Sequence, residues 1–593
     1  MQVIATAGHV DHGKSTLVRA LTGQDPDRLV EERRRGLSIE LGYCWTSLPD
    51  VGQVAFVDVP GHERFVSTML AGVGPVPAVL FVVAADDPWM PQAAEHLAAL
   101  DAFGVRHGVV AVTRSDLADP ASAVAETHAR LGSTSLAGAP VVAVSGRDGS
   151  GLDELRSAIA AMVGALPTPS PEAAVRLWVD RRFQVAGAGT VVTGTLPAGR
   201  IRVGDTLDHD GTSVRVRGLE ALGQPVDMVQ GVSRVALRLG RGAPDDLRRG
   251  SALVTPCGWQ PTRMVDVRTG GDGTLPERPI LHIGATAVGA RCRPLGDRLA
   301  RLTFDRRLPL HVGDTLVLRD PGSKAIWSTL VLDPAPPPLL RRGAARRRAT
   351  ALAASTGSPD LKDELRRRGV ARLSGLRRIG VAVDDEVVAA VGLRARDWLL
   401  DPREAPRLAG ELRRLVEKRR RTQPMDTRLT LVAAAQALDL PTPELVALLV
   451  APPLEVVEGR VVDVEATLPD DVLGGLRRLE DQLIIDPFSA PDAERLAELD
   501  LDRSGLAAAV RAGRLLRLAD GIVLLPGAEI IAAKTLAELP QPFTVSEARV
   551  RLGTSRRVVL PLLAILDERR LTRRLPDDRR EVVRRTSLPE LAE

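Results

Sequence analysis

Residues 8–16 read Gly-His-Val-Asp-His-Gly-Lys-Ser-Thr (GHVDHGKST), and this stretch decides how the start of the chain must fold. Gly8, Gly13, Lys14 and Ser15 fall at the G-x-x-x-x-G-K-S/T spacing. The preceding Gln2–Ala7 reads as a short buried strand, and Leu17–Leu21 as the start of a helix. In that context the glycines let backbone N–H groups, with Asp11, His12 and Thr16 completing the loop, curl around a β-phosphate. The helix N-terminus adds positive potential. Lys14 would reach the β- and γ-phosphates, and the Ser15 hydroxyl would ligate Mg²⁺.

Further apolar runs at 54–59, 79–85, 108–112 and 141–144 alternate with helical stretches, the pattern of a parallel sheet with crossovers. Ligands of such sheets bind at the carboxyl ends of the strands, and the remaining motifs fall there. Asp58-Val59-Pro60-Gly61 follows one run: Asp58 can hold Mg²⁺ through a water, and the Gly61 N–H can sense a γ-phosphate. Thr113-Arg114-Ser115-Asp116 follows another, where Asp116 would accept from guanine N1 and the exocyclic amine. Arg114 stands where lysine is usual, and its stem can still cover the base. Ser145-Gly146-Arg147 fits a loop closing over guanine O6. Four motifs in this order imply an α/β P-loop GTPase domain over residues 1–170, with GTP/GDP and Mg²⁺ as its ligands.

At 593 residues the chain exceeds one domain, and 44% hydrophobic with 26% charged residues is ordinary globular composition. Cys44, Cys257 and Cys292 are too far apart for a disulfide framework or a zinc site. A first strand at Gln2 and no apolar run of membrane length give the expectation of a cytoplasmic protein, with no membrane partner. Almost all basic residues are arginine, so Lys14 is a lysine where the chain habitually uses arginine. Residues 541–593 hold 12 arginines against 8 acidic residues, an excess equal to the whole chain's formal charge of +4. Any electrostatic footprint for nucleic acid is therefore expected at the C-terminus.

GHVDHGKS, Arg33-Arg34-Arg35-Gly36-Leu37-Ser38-Ile39-Glu40 and Asp58-Val59-Pro60-Gly61-His62-Glu63-Arg64-Phe65 together resemble the translational GTPases, the family of elongation factor Tu. The resemblance implies that Ser38 takes the place of a threonine ligating Mg²⁺ near the γ-phosphate. It also implies that His62 orients the attacking water once the ribosome positions it, with Val10 and Leu37 as an apolar gate. Such chemistry depends almost wholly on positioning and charge stabilisation.

Residues 174–333 carry short β-rich runs between Gly, Asp and Pro turns, the pattern of two β-barrels, 174–256 and 257–333. The stretch 180–194, Asp-Arg-Arg-Phe-Gln-Val-Ala-Gly-Ala-Gly-Thr-Val-Val-Thr-Gly, looks like the start of the second domain of that family, where an aminoacyl end is held. Its spelling is most similar to the selenocysteine-specific branch. The resemblance implies a selenocysteine pocket around Asp180, Arg181 and Arg234, in which guanidinium groups favour a selenolate over a neutral hydroxyl.

Asp333-Pro334-Ala335-Pro336-Pro337-Pro338 reads as a stiff linker and a boundary. Residues 339–593 follow as helices with hairpins near 457–460, 519–522 and 574–579, an array of about four tandem winged helices. In the selenocysteine-specific branch such a tail grips an mRNA hairpin. In the last unit, 528–593, Pro561 predicts a helix beginning near Arg557. Arg556 and Arg557 would then sit at its N-terminus, while Arg573, Arg574, Arg579 and Arg580 line the wing as the mRNA-binding set. The resemblance thus implies a monomeric carrier of selenocysteinyl-tRNA that hydrolyses GTP on the ribosome at UGA codons. A general aminoacyl-tRNA carrier would have no use for the tail. An RNA-binding regulator with a GTPase switch would have no use for the first barrel's sequence.

Overall fold

The structure, a computed structural model, describes residues 1–26, 38–87, 89–187, 189–240, 242–271, 273–423, 426–463 and 470–583. The segment 33–37 singled out above, including Leu37, lies outside these residues, as does Ala188. Two compact units divide the chain: residues 1–392 with 397–399, and residues 393–396 with 400–593.

The first unit opens with strand β1 (Gln2–Gly8), helix α1 (Lys14–Thr22), β2 (Gly42–Leu48), β3 (Gly52–Asp58), α2 (Val66–Val73), β4 (Ala78–Ala84), α3 (Pro91–Phe103), β5 (His107–Thr113), α4 (Ala121–Leu131), β6 (Val141–Ala143) and α5 (Leu152–Gly164). The sheet order is β2-β3-β1-β4-β5-β6. Strands β3, β1, β4, β5 and β6 are parallel to their neighbours. Burial on both faces explains why they read as continuous apolar runs, with every residue of β4 buried. Edge strand β2 is antiparallel to β3 and forms no such run. Its sequence, Gly-Tyr-Cys-Trp-Thr-Ser-Leu, alternates, so Cys44 and Leu48 enter the core while Tyr43 and Trp45 face the other way. The phosphate loop leaves β1, Asp58 ends β3, Thr113 ends β5, and Ser145 follows β6. All the nucleotide motifs therefore meet at one edge of the sheet.

An eight-stranded antiparallel sheet from Arg176–Trp178 to Ala252–Val254 shares one core of Leu177, Val192, Leu219, Leu237 and Leu253 with a two-stranded ribbon. Six strands between Pro261–Gly270 and Ile326–Asp333 then close into a barrel. The expected linker is not a free spacer. Asp266, with no exposed surface, accepts from Arg301 Nε at 2.7 Å and from Arg348 Nε at 2.6 Å. Asp333 accepts from Arg368 at 2.7 Å and also from Arg348, while Arg301 reaches the Pro337 carbonyl at 2.8 Å. Arg348 belongs to helix Ala344–Ala353 and Arg368 to helix Leu361–Arg368, so charge pairs across the proline run bind the first tail helices to the barrel. Composition alone cannot show pairs made at such sequence separations.

The second unit repeats helices with small sheets: strands Leu454–Val457 and Arg460–Asp463, Leu516–Ala519 and Ile522–Leu524, and Thr572–Arg574 and Arg580–Val582. All three hairpins fall where the sequence placed them. At the first, Glu458 (φ 49°) and Gly459 (φ 72°) take left-handed conformations, as a tight antiparallel turn requires. The helix Arg556–Glu568 starts at Arg556, with Ser555 as its N-cap; Pro561 lies beyond its first turn and is accommodated inside it.

Burial by itself would raise the Asp333 carboxyl, but Arg368, Arg367 and Arg348 more than offset it and hold it below the usual carboxylate value. A depressed folded pKa gives stability that is present above about pH 4 and lost as pH falls through the folded value. The Asp333→Asn variant should therefore unfold at lower urea than the parent at pH 7, and the gap should narrow below about pH 4. A gap independent of pH would contradict this role.

Candidate functional site

The phosphate loop is shaped from both ends. Gly8 has φ 135°, and a Cβ there would lie 2.1 Å from the Val82 carbonyl oxygen. Gly13, left-handed at φ 78°, caps α1. Between them Lys14, 6% exposed, donates from Nζ to the carbonyls of Gly8 (3.2 Å) and His9 (2.6 Å), which fixes the ammonium at the centre of the loop. The Thr113 hydroxyl donates to the His12 carbonyl at 2.7 Å and ties β5 to the loop. Burial, with His9 adding to it, pushes the His12 imidazole down to about 4, so its ring is neutral beside Lys14.

The three residues assigned to a metal converge. Ser15 Oγ donates to Asp58 Oδ2 at 2.7 Å and lies 3.2 Å from Ser38 Oγ. Thr6 Oγ1 donates to Asp58 Oδ1 at 2.6 Å and accepts from Val59 N at 3.0 Å, which holds the buried carboxylate in place. Two hydroxyls and a carboxylate form an all-oxygen set that suits a hard cation such as Mg²⁺ beside phosphate oxygens. Gly61 packs directly on the loop: a Cβ there would stand 2.5 Å from Lys14 Nζ and 2.6 Å from Val10 N.

A cavity of about 450 Å³ joins these groups to the base-binding motifs, lined by Lys14, Ser15, Ser38, Gly61, Arg114 and Asp116 among others. Val10, Asp11, Gly13, Thr16, Thr113, Gly146 and Arg147 also line it, whereas His12, Asp58 and Ser145 support it from behind. Ser145 Oγ accepts from the Arg147 and Asp148 amides at 3.2 and 3.3 Å and shapes the last loop. Arg114 takes φ 58°, pairs with Asp86 at 2.9 Å and donates to the Asp11 carbonyl, so its stem crosses one wall. His62 stands apart from this lining, half-buried before the 3₁₀ turn Glu63–Phe65, with Nδ1 accepting from Arg64 N at 3.2 Å.

Asp180, Arg181 and Arg234 also come together, around a residue the sequence did not flag. Arg234 forms a bidentate pair with Asp180, which accepts from Thr193 Oγ1 at 2.6 Å as well. The Arg234 guanidinium lies 3.8 Å, and that of Arg181 5.1 Å, from the Tyr43 ring centroid. Arg181 also donates to the Leu41 carbonyl and pairs with Glu40 at 3.3 Å. Burial opposes charge on Arg234, but Asp180 and then Tyr43 favour it, so its pKa is raised. Burial likewise drives the Tyr43 phenol up, keeping it neutral. A second cavity of about 620 Å³ opens here, lined by Tyr43, Trp45, Arg181, Phe183, Val191 and Arg234 among others. Tyr43 carried no motif; the alternation of β2 was the only signal that its ring faces this way.

In the second unit the arginines expected to form one basic patch differ in fate. Arg556 is exposed in the first helical turn. Arg557 donates to the Ala490 and Pro491 carbonyls at 3.1 and 2.8 Å, so it braces the helix entrance. Arg573 pairs with Glu581, Arg574 with Asp578, and Arg579 with Asp577 at 3.7 Å, all at exposed positions. Arg580 does not line an exposed wing. It is 8% exposed and donates to Asp567 at 2.9 Å, which also accepts from Thr572 at 2.6 Å, so it pins the hairpin to the helix.

The family model for the elongation factor Tu GTP binding domain matches residues 1–165. Models for the selenocysteine-specific elongation factor beta-barrel domain and the elongation factor SelB winged helix match residues 277–338 and 534–580. The chain is 41% identical to the selenocysteine-specific elongation factor of Escherichia coli (strain K12), over 54% of this chain and 53% of that protein. It thus spans about half the length of that relative. It is 35% identical to elongation factor Tu 2 of Streptomyces avermitilis, over 54% of this chain and 93% of that one. The crystal structure of a bacterial selenocysteine-specific elongation factor, EF-Sec, has the same fold, with a TM-score of 0.76 over 98% of this chain and 100% of that one at 24% identity.

Because a methyl at position 61 would collide with Lys14 and Val10, the Gly61→Ala variant should lose affinity for GTP by more than about tenfold, corresponding to about 1.4 kcal/mol, with a smaller loss for GDP. Titration with fluorescent GTP and GDP analogues measures this. An equal loss for both nucleotides would show that Gly61 does not serve the γ-phosphate side.

Proposed function

We propose that this chain, which belongs to the elongation factor Tu family of translational GTPases, is a GTP-dependent carrier of selenocysteinyl-tRNA that acts as a cytoplasmic monomer. It would deliver its cargo to the ribosome at UGA codons while its C-terminal unit holds a hairpin of the message. The observation that carries this reading is the convergence of Arg181 and Arg234 on the Tyr43 ring, in the same stretch of chain as Ser38. A selenol is largely ionised at neutral pH and a serine hydroxyl is not, so a guanidinium edge discriminates between them. Arg234 gives two of its five donors to Asp180 and also bonds Tyr43, so an anionic side chain would bind by taking the place of one of these partners.

In hydrolysis, water attacks the γ-phosphorus, the bond to the β–γ bridging oxygen breaks, and GDP and phosphate leave. Lys14 holds the β- and γ-phosphates, the Gly61 N–H senses the γ-phosphate, and Asp116 reads the guanine edge. Ser15, Ser38 and Asp58 would hold Mg²⁺, which neutralises phosphate charge. His62 orients the water when the ribosome positions it, and Val10 with Leu37 screens it beforehand. In the C-terminal unit, Arg556 at a helix N-terminus and the exposed Arg573, Arg574 and Arg579 can exchange neighbouring carboxylates for phosphates of an RNA hairpin.

Equilibrium binding of the GTP-loaded protein to one tRNA charged with selenocysteine or with serine tests the reading. A large preference for the selenocysteinyl form is expected, and Arg181→Ala should reduce it. Equal binding of the two would favour a general aminoacyl-tRNA carrier, and binding of neither would favour an RNA-binding regulator.

A further inference from the structure

A buried histidine outside every motif lies beneath the phosphate loop. We propose that His96 is a positioning residue for nucleotide binding: its imidazole accepts the Gly8 N–H and thereby sets the direction in which the phosphate loop leaves β1. The inference rests on the reading of the 450 Å³ cavity as the GTP site.

His96 lies in the middle of α3, 1% exposed, and its Nδ1 accepts from Gly8 N at 3.1 Å across 88 residues of sequence. Gly8 is confined on its other side, where the Val82 carbonyl leaves no room for a Cβ. Its own carbonyl accepts from Lys14 Nζ at 3.2 Å. One residue is thus held by its N–H from α3 while its C=O receives the ammonium that would meet the phosphates. Fixing the first group orients the second, because only the Gly8 backbone separates them. An accepting Nδ1 places the ring proton on Nε2. Burial, then Lys14 and His9, pushes the imidazole down to about 3, so the ring stays a neutral acceptor throughout the physiological range. The helix itself is anchored from outside the nucleotide domain: neighbouring Glu95 pairs with Arg319 of the closed barrel at 3.0 Å. Removing the imidazole would leave a buried N–H unsatisfied and the first peptide of the loop free to turn.

The test is the dissociation rate of fluorescent GDP and GTP analogues from the full chain, comparing the parent with His96→Leu and His96→Asn. Leucine fills the space without an acceptor, whereas the asparagine Oδ1 can take the place of Nδ1. His96→Leu should release both nucleotides about ten- to a hundredfold faster, and His96→Asn should recover most of the loss. Unchanged release from His96→Leu, or equal damage in both variants, would overturn the proposal and leave His96 a packing residue. Should His96→Leu not fold, ¹⁵N spectra of histidine-labelled parent, with the His96 signal identified by its loss in His96→Asn, decide the matter. An unprotonated Nδ1 is expected, and a protonated one would overturn the assignment. A parent that binds neither analogue would overturn the nucleotide reading, and this inference with it.

Discussion

The Asp58 carboxylate is the joint on which the nucleotide domain depends. One oxygen accepts from Thr6 on β1 and the other from Ser15 at the start of α1, while Asp58 itself ends β3. Two central strands and the helix after the phosphate loop are therefore fixed to one buried charge. Its position determines where a cation can sit, and the adjoining Val59–Gly61 turn determines how closely the backbone approaches Lys14. Hydroxyl donors on both oxygens help this carboxylate tolerate burial.

The short stretch from Ser38 to Tyr43 connects this joint to the first barrel. Ser38 lies at the Ser15 hydroxyl, Glu40 and the Leu41 carbonyl engage Arg181, and Tyr43 packs under Arg234. Among the described residues, a few residues of backbone link the two cavities. A rearrangement of Ser38 at the nucleotide would be felt by Arg181 and Arg234 through covalent geometry. The charge pairs at Glu40 and Asp180 keep both guanidinium groups compensated in this arrangement, and an anionic ligand would bind by exchanging one partner for another.

The motifs that were legible in the sequence are those in which spacing along the chain equals spacing in the site. The phosphate loop, Asp58–Gly61, Thr113–Asp116 and Ser145–Arg147 each sit on one turn, and the sheet brings the turns together. Burial on both faces made the parallel strands visible as apolar runs, while β2 escaped because one of its faces meets the barrel. His96 and Tyr43 were hidden for a different reason: a histidine inside a helix and a tyrosine in a strand look like ordinary core residues. The buried pairs of Asp266 and Asp333 with arginines beyond the proline run were equally invisible, since in an arginine-rich chain no single arginine stands out. Arg580 shows the converse, a residue chosen for its charge that is occupied in fixing its own hairpin.

Central to this account is the proposal that the cavity at Arg181 and Arg234 holds the charged end of a tRNA and is governed by the nucleotide through the 38–43 stretch. The most direct test is the affinity for selenocysteinyl-tRNA of the protein loaded with a non-hydrolysable GTP analogue, compared with the same protein loaded with GDP. Coupling through this stretch predicts binding at least about a hundredfold tighter in the GTP form, a coupling free energy of about 2.7 kcal/mol. Equal affinity in the two states would contradict it, and would mean that the two cavities act independently.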